Sequence, residues 1–294
     1  VGAGTVGRAT GVGLISKGNQ VAFVDPDFSV QAVLRDRGLR VVDLQDPDVR
    51  DFEVIMLAVP TPTIDGHMDH RYLVRAGVEI GNALRESSGY KVVCVRSTVL
   101  PTTTRNLVIP SLEKGSERMA GSDFGVCVNP EFLREANALD DFLQPDRILI
   151  GELDERSGRL LESLYDSFQR PILRCRLEEA EFAKYAANSF LATKISFFNE
   201  ISGVCEKFGA DPRIVSLAVA MDKRIGSYGT VGGTPYGGKC LPKDVDALLN
   251  RVDEMGDHLE VLSAAARINK RMETLLQVES HPDIAETPMV QDAK

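Results

Sequence analysis

Strand and helix patterns alternate through residues 1–176, and helical patterns alone follow. A G-x-G-x-x-G run stands at the start of the chain, and an unbroken helical pattern of about 30 residues begins at Leu177. These observations predict an α/β chain. A Rossmann-like parallel-sheet domain over 1–176 precedes an all-helical central domain over 177–277, built on one long helix. Residues 278–294 are polar, carry two prolines and lack periodicity, and read as a disordered tail.

The first element is the glycine run, Val1-Gly2-Ala3-Gly4-Thr5-Val6-Gly7. The apolar strand that should precede it is a single valine, so the chain reads as trimmed inside that strand. A helix follows to about Lys17, stopped by Gly18-Asn19. Val21–Val24 reads as a buried strand ending in Asp25, 18 residues after Gly7. An acid at that place suits the ribose hydroxyls of a dinucleotide and repels a 2′-phosphate, favouring NAD over NADP. Gly2, Gly4, Thr5, Val6, Gly7 and Asp25 are the resulting cofactor candidates.

Val54–Val59 is a continuous apolar run, as in a strand buried on both faces, and ends in Pro60-Thr61-Pro62-Thr63. A helix spans about 70–85. Val92–Val95 is the next strand and ends in Arg96-Ser97-Thr98. Val126–Val128 ends in Asn129-Pro130-Glu131, and Ile148–Ile150 stops at Gly151. Open parallel sheets bind ligands at the carboxyl ends of their strands, which adds Thr61 and Thr98 to the cofactor candidates. Glu131 and Glu135, four apart, would share one face if helical.

The long pattern from Leu177 to Lys207 is apolar on several faces and should be buried on more than one side, joining domains and forming a dimer core. Lys184 and Asn188 lie one turn apart on it. A lysine among apolar neighbours must be paired or used, and desolvation would fit it for acid–base work. Asp211-Pro212 starts a short helix. The stretch Gly232–Asp244 holds four glycines, then Cys240 flanked by Lys239 and Lys243, with Pro242 suited to a first helical turn. A cysteine just ahead of a helix N-terminus and beside two ammonium groups is favoured as thiolate. Asp244 is close enough to handle protons or order a lysine.

Composition bounds the function class. A chain of 294 residues with 43% hydrophobic and 26% charged residues is globular, and a net charge of −9 argues against a nucleic-acid partner. No apolar run is long enough to span a membrane, and no signal peptide is legible. Five scattered cysteines suggest neither a zinc site nor a disulfide framework. A reducing cytoplasm and no metal are expected.

Taken together, VGAGTVG, VPTPT, RSTVLP, NPEFLRE, EFAKYAANSFLATKISFFNE, DKRIG and GGKCLPKD occur in one order over about residues 1–275. In this the chain resembles the UDP-glucose/GDP-mannose dehydrogenases, which oxidise C6 of a nucleotide sugar twice to a uronic acid. The resemblance implies that Cys240 is the nucleophile, that Lys184, Asn188 and Asp244 surround the reacting carbon, and that Glu131 assists hydrolysis. It places Thr98, Glu135 and Lys243 near NAD. It assigns Phe132, Leu133, Arg134 and Gly237 to the substrate, with Arg224 reaching a substrate in the neighbouring subunit of a homodimer.

Pro235, and Thr102 after Pro101, stand where that family more often has glycine, so small loop differences are expected. The family also carries a further α/β domain for the substrate's nucleotide, and the sequence ends before it. The segment alone is therefore expected to bind NAD and turn over poorly. Two other readings share some of these features: a β-hydroxyacid dehydrogenase, which needs no Cys240, and a non-catalytic NAD-binding dimer.

Overall fold

A computed structural model describes residues 1–46, 49 and 51–280. The chain divides into two compact units. Val1–Ile64 with Met68–Lys184 form the first, and Asp65–His67 with the residues from Tyr185 onward form the second.

The first unit opens with α1 (Thr5–Ser16) and α2 (Phe28–Asp36), then β1 (Val54–Leu57) and a small hairpin of β2 (Thr63–Ile64) and β3 (His67–Met68). It continues through α3 (Arg71–Arg85), β4 (Val92–Val95), α4 (Ile109–Ser116), β5 (Gly125–Val128) and α5 (Ala138–Leu143). β6 (Ile148–Glu152), α6 (Glu155–Ser163) and β7 (Ile172–Arg176) complete it. The main sheet has the order β1-β4-β5-β6-β7, with β1, β4 and β5 mutually parallel.

Two strand expectations need correction. β6 runs antiparallel to β5, and β7 follows β6, so the sheet is mostly rather than wholly parallel. An apolar run does not encode direction. Here the turnover is fixed by short pairing at the end of β5 and by Asn129, whose Nδ2 donates to the Leu149 carbonyl at 2.7 Å. Val21–Val24 makes only a single parallel bridge, Phe23 with Val41. Val1 and Gly2 lie between residue 24 and β1, with Gly2 N–H donating to Val24 and Ala58 N–H donating to Val1, both at 2.8 Å. The backbone then turns into α1.

Strand burial follows from layers on both faces. Val92 and Cys94 of β4 join a core with Leu14, Phe142, Ile150, Leu161 and Phe168. Val93 and Val95 point the other way and are equally buried. α3 and α4 lie against each other with little between their backbones. A Cβ on Gly81 would stand 2.4 Å from the Leu112 carbonyl oxygen, and one on Gly115 would stand 2.3 Å from that of Val78.

α7 runs Leu177–Lys207, as the sequence predicts, and the division between units falls within it. Its first turns tie down the loop after β4. The Glu181 carboxyl, 1% exposed, accepts the Thr102 N–H at 2.6 Å and the Thr104 N–H at 2.8 Å, while Glu178 pairs with Arg105 at 2.5 Å. Thr102 has φ +74°, a left-handed conformation costly for a β-branched residue, at the place where the family pattern favours glycine. Burial pushes Glu181 up from 4.5 to about 7, against the pull of its N–H donors.

The second unit adds α8 (Pro212–Ala220), α9 (Leu241–Glu254) and α10 (Glu260–Ser280). Asp211 caps α8, accepting from Arg213 N–H. Ser196 Oγ donates to the Ala265 carbonyl at 2.8 Å and so ties α7 to α10. Residues 278–280, expected to begin the tail, continue α10; the rest of that expected tail lies outside the described residues. The burial expected on several sides of α7 is incomplete, because Phe190, Phe197 and Val204 are exposed.

Gly81→Ala should lower unfolding stability by about 1–3 kcal/mol, because the added methyl meets backbone rather than a movable side chain. Denaturant titration checks this. Glu181 gives the first unit a pH dependence. Its folded pKa lies above its unfolded value, so its contribution is complete below pH 4.5 and is lost as pH rises through about 7. The loss is on the order of 3 kcal/mol. The difference in melting temperature between wild type and Glu181→Gln should therefore drift across pH 4.5–7.5 and level off on either side.

Candidate active site

In the first unit the glycine run forms the head of α1. Gly2 has φ +86°, and a Cβ there would stand 2.5 Å from the Ala58 carbonyl oxygen; a Cβ on Gly7 would stand 2.0 Å from that of Gly2. Side chains are thus excluded where α1 meets the end of β1. Gly4 is the N-cap of α1 and supplies no side-chain hydrogen bond, and a Cβ on it would meet nothing within 4 Å. The first-turn N–H groups of α1 therefore have no side-chain cap, a ready-made anion site. Thr5 is exposed, and Val6 and Gly7 are half-buried. Asp25 is drawn to the same place: its Oδ2 accepts the Ala3 N–H at 2.7 Å and its Oδ1 the Asp27 N–H at 3.0 Å.

The strand-end threonines come together. Thr61 Oγ1 donates to the Thr98 carbonyl at 2.8 Å, joining the turn after β1 to the turn after β4. Beneath them Arg96, 5% exposed, donates to Thr10 Oγ1 at 3.1 Å and to Asn129 O and Oδ1 at 2.9 and 2.5 Å. This buried network, which Tyr165 extends to Asn129, sets the spacing of α1, β4 and the end of β5.

Residues 129–134 are extended and irregular, so Glu131 and Glu135 do not share a helical face. Pro130 and the turnover into β6 draw this segment away from helix. Glu131 turns inward, 6% exposed, while Glu135 stays at the surface. Glu131 Oε1 lies 3.1 Å from Lys184 Nζ, and its Oε2 accepts the Leu133 N–H at 2.6 Å. Lys184 is 4% exposed, with its ammonium 5.6 Å from the centre of the Phe132 ring. Arg147, just before β6, stacks on the same ring at 3.9 Å. Arg134 is exposed and pairs with Asp141 at 2.6 Å.

In the second unit Asn188, one turn after Lys184 on α7, donates from Nδ2 to Asp244 Oδ2 at 2.6 Å. Lys243 Nζ donates to Asp244 Oδ1 at 2.7 Å. Asp244 is 1% exposed, so each oxygen of a buried carboxylate meets a donor. Cys240 is exposed at the N-cap of α9, and its carbonyl accepts the Asp244 N–H at 2.9 Å. Pro242 lies in the first turn of α9, as the sequence suggests. The other cysteines are buried or half-buried thiols, with burial pushing Cys127 up to about 12 and Cys175 up to about 11. Gly237 is exposed in the loop before Cys240. Arg224 is also exposed and pairs with Asp222 at 2.6 Å, its loop held by Lys194 Nζ at the Ile225 and Gly226 carbonyls.

The candidate residues thus form separate hydrogen-bonded groups: the head of α1 with Asp25, Thr61 with Thr98, Glu131 with Lys184, and Asn188 with Asp244 and Lys243. Arg134 and Arg224 are paired with aspartates near them in the chain, and Glu135 is an exposed residue. Sequence reasoning passed over Glu181, Asn199 and Asn269. Each is a buried polar residue on a helix, and the available signal was a polar side chain within an apolar face.

Known proteins resemble this chain over both units. The UDP-glucose/GDP-mannose dehydrogenase family matches twice: its NAD binding domain over residues 27–169 and its central domain over residues 178–271. GDP-mannose 6-dehydrogenase of Pseudomonas putida is 39% identical over 268 residues, covering 89% of this chain and 61% of that protein. UDP-glucose 6-dehydrogenase of Pseudomonas aeruginosa is 36% identical, covering 94% and 66% respectively. A solved UDP-glucose dehydrogenase from Pyrobaculum islandicum superposes with a TM-score of 0.86 at 34% identity, covering 95% of this chain and 69% of that one. The chain therefore spans about half to two thirds of the length of the curated relatives it matches. Across both units, the chain belongs to the UDP-glucose/GDP-mannose dehydrogenase family and carries its NAD-binding and central domains.

Proposed function

We propose that this chain carries the catalytic groups for the four-electron oxidation of a nucleotide hexose at C6, from alcohol to carboxylate, with Cys240 as nucleophile. One observation carries the reading: an exposed cysteine heads α9, one turn before a buried aspartate held by Asn188 and Lys243. It occurs in a family whose relatives are named GDP-mannose and UDP-glucose 6-dehydrogenases. A β-hydroxyacid dehydrogenase would have no task for that thiol.

NAD is the cofactor of this family's first domain, and the residues present fit it. The uncapped head of α1 and the open space at Gly4 suit a pyrophosphate, and the Asp25 carboxylate suits ribose hydroxyls. Thr61, Thr98, Glu135 and Lys243 are the further residues assigned to it. NAD supplies the acceptor for both hydrides, the one leaving the alcohol and the one leaving the thiohemiacetal.

The chain's own groups do the rest. Lys184 and Asn188 stabilise negative charge developing on O6, and Asp244 orders water beside it. The Cys240 thiolate adds to the aldehyde carbon, forming a C–S bond and placing the charge on oxygen. After the second oxidation, Glu131 takes a proton from water as it attacks the thioester carbon; the C–S bond breaks and the thiolate is restored. Per turnover, the alcohol and one water become a carboxylate, two hydrides and three protons. Phe132, Leu133, Arg134 and Gly237 are assigned to substrate binding, and Arg224 to a substrate in a partner subunit. A reducing compartment such as the cytoplasm suits a thiol nucleophile.

The second partner we assign is another copy of this chain. Phe190 and Phe197 of α7, Phe208 after it, and Leu217 and Met221 at α8 are all exposed. Large apolar side chains exposed along α7 and α8 suit burial against another copy.

With UDP-glucose or GDP-mannose as substrate, an active preparation should yield two NADH per uronic acid formed. Cys240→Ser should reduce uronate formation on the order of 10⁴-fold or more, since a serine alkoxide is far harder to generate than a thiolate. Equal stoichiometry and rate in Cys240→Ala would sink the mechanism. Sedimentation velocity should give a dimer at micromolar concentration, and Phe190→Glu should shift it towards monomer.

A further inference from the structure

The loop from Gly232 to Lys239 delivers Cys240 to the head of α9, and two asparagines hold it. Asn199 of α7 and Asn269 of α10 are 5% and 4% exposed. Asn199 Oδ1 accepts the Gly233 N–H at 2.8 Å, and its Nδ2 donates to the Thr234 carbonyl at 2.9 Å. Asn269 Oδ1 accepts the Tyr236 N–H at 2.7 Å, and its Nδ2 donates to the Tyr236 carbonyl at 3.1 Å. Asn269 Nδ2 also donates to Glu273 at 3.0 Å, which fixes which way the amide is turned. At the start of the loop, a Cβ on Gly232 would stand 2.0 Å from Ser202 Oγ, so the backbone lies directly on α7.

A primary amide presents one acceptor and one donor in the spacing of a peptide group, which lets it pair with loop backbone on both sides at once. An aspartate has the same shape but two acceptors, and would set lone pairs against a carbonyl. Past Tyr236, itself 5% exposed, the residues Gly237 to Cys240 are all exposed, so the two amide clamps are the deeply buried anchors of this loop.

We infer that Asn199 and Asn269 are positioning residues for Cys240, holding its loop so that the thiol stays at the head of α9. This rests on the reading of Cys240 as the nucleophile. A helix N-terminus favours the thiolate of a cysteine held there. A loop released from either clamp spends less time in that position, and its reactivity falls with the population.

The test is alkylation by iodoacetamide, followed cysteine by cysteine with mass spectrometry, in wild type, Asn199→Asp and Asn269→Asp. Cys175, half-buried in the first unit, serves as the internal standard. In wild type, Cys240 should react much faster than Cys175. Each aspartate variant should slow Cys240 about tenfold, while Cys175 reactivity and NAD affinity stay within about twofold. Fast wild-type Cys240 that both variants leave unchanged would overturn the clamp and spare the nucleophile. Wild-type Cys240 no faster than Cys175 would overturn the nucleophile reading and the inference with it. Parallel changes at both cysteines would mark a general loss of structure and also count against positioning. Should an aspartate variant fail to fold, Asn199→Ser and Asn269→Ser are read by the same criteria.

Discussion

Lys184 and Glu131 form an ion pair with both side chains almost wholly out of water, 3.1 Å apart. Such a pair adds little stability over an apolar one of the same volume, yet either partner alone would be strongly unfavourable. The pair therefore acts as a constraint. It fixes the rotation of α7 about its own axis and the path of the segment after β5 at once. One turn earlier Glu181 reaches the loop after β4, and one turn later Asn188 reaches Asp244. Further along, Ser196 and Asn199 make the same kind of contact to a carbonyl and to loop backbone. A rotation of the first turns of α7 would strand Glu181 and Lys184 together.

The parts of the fold written in local pattern were legible in the sequence. The 31 residues of α7, the Asp211 cap, the apolar strand β4 and the helix start at Leu241-Pro242 are all set by propensity, capping and period. The direction of β6 was not legible, because side-chain alternation is the same whichever way a strand runs. The Val21–Val24 strand was over-read because an apolar run does not show how much of it is paired, and here Phe23 bridges Val41.

The candidate site residues divide along the same line. Asp25, Lys184, Asn188, Cys240 and Asp244 stood out because their chemistry is unusual for their surroundings or sits beside glycine and helix signals. Glu181, Asn199 and Asn269 did not, because what they hold is backbone from a segment distant in sequence, and backbone carries no residue-specific mark. The two glutamates of the segment after β5 were visible, but their separation was not. A proline and the pairing of Asn129 with Leu149 draw that stretch away from helix, with Glu131 buried and Glu135 exposed.

The close approach of α3 and α4 bears on the order in which this domain forms. Both helices lie within residues 71–116, with β4 and the π-helical stretch Thr104–Val108 between them in the chain. Joining them closes a shorter stretch of chain than seating Glu181 of α7 on the loop after β4, where the residues lie 77 and 79 apart in sequence. Their glycine contact needs no side chain to find its rotamer. This pair and β4 can thus assemble as a local nucleus while the C-terminal half of the sheet is still being synthesised, and later strands add to a surface already in place.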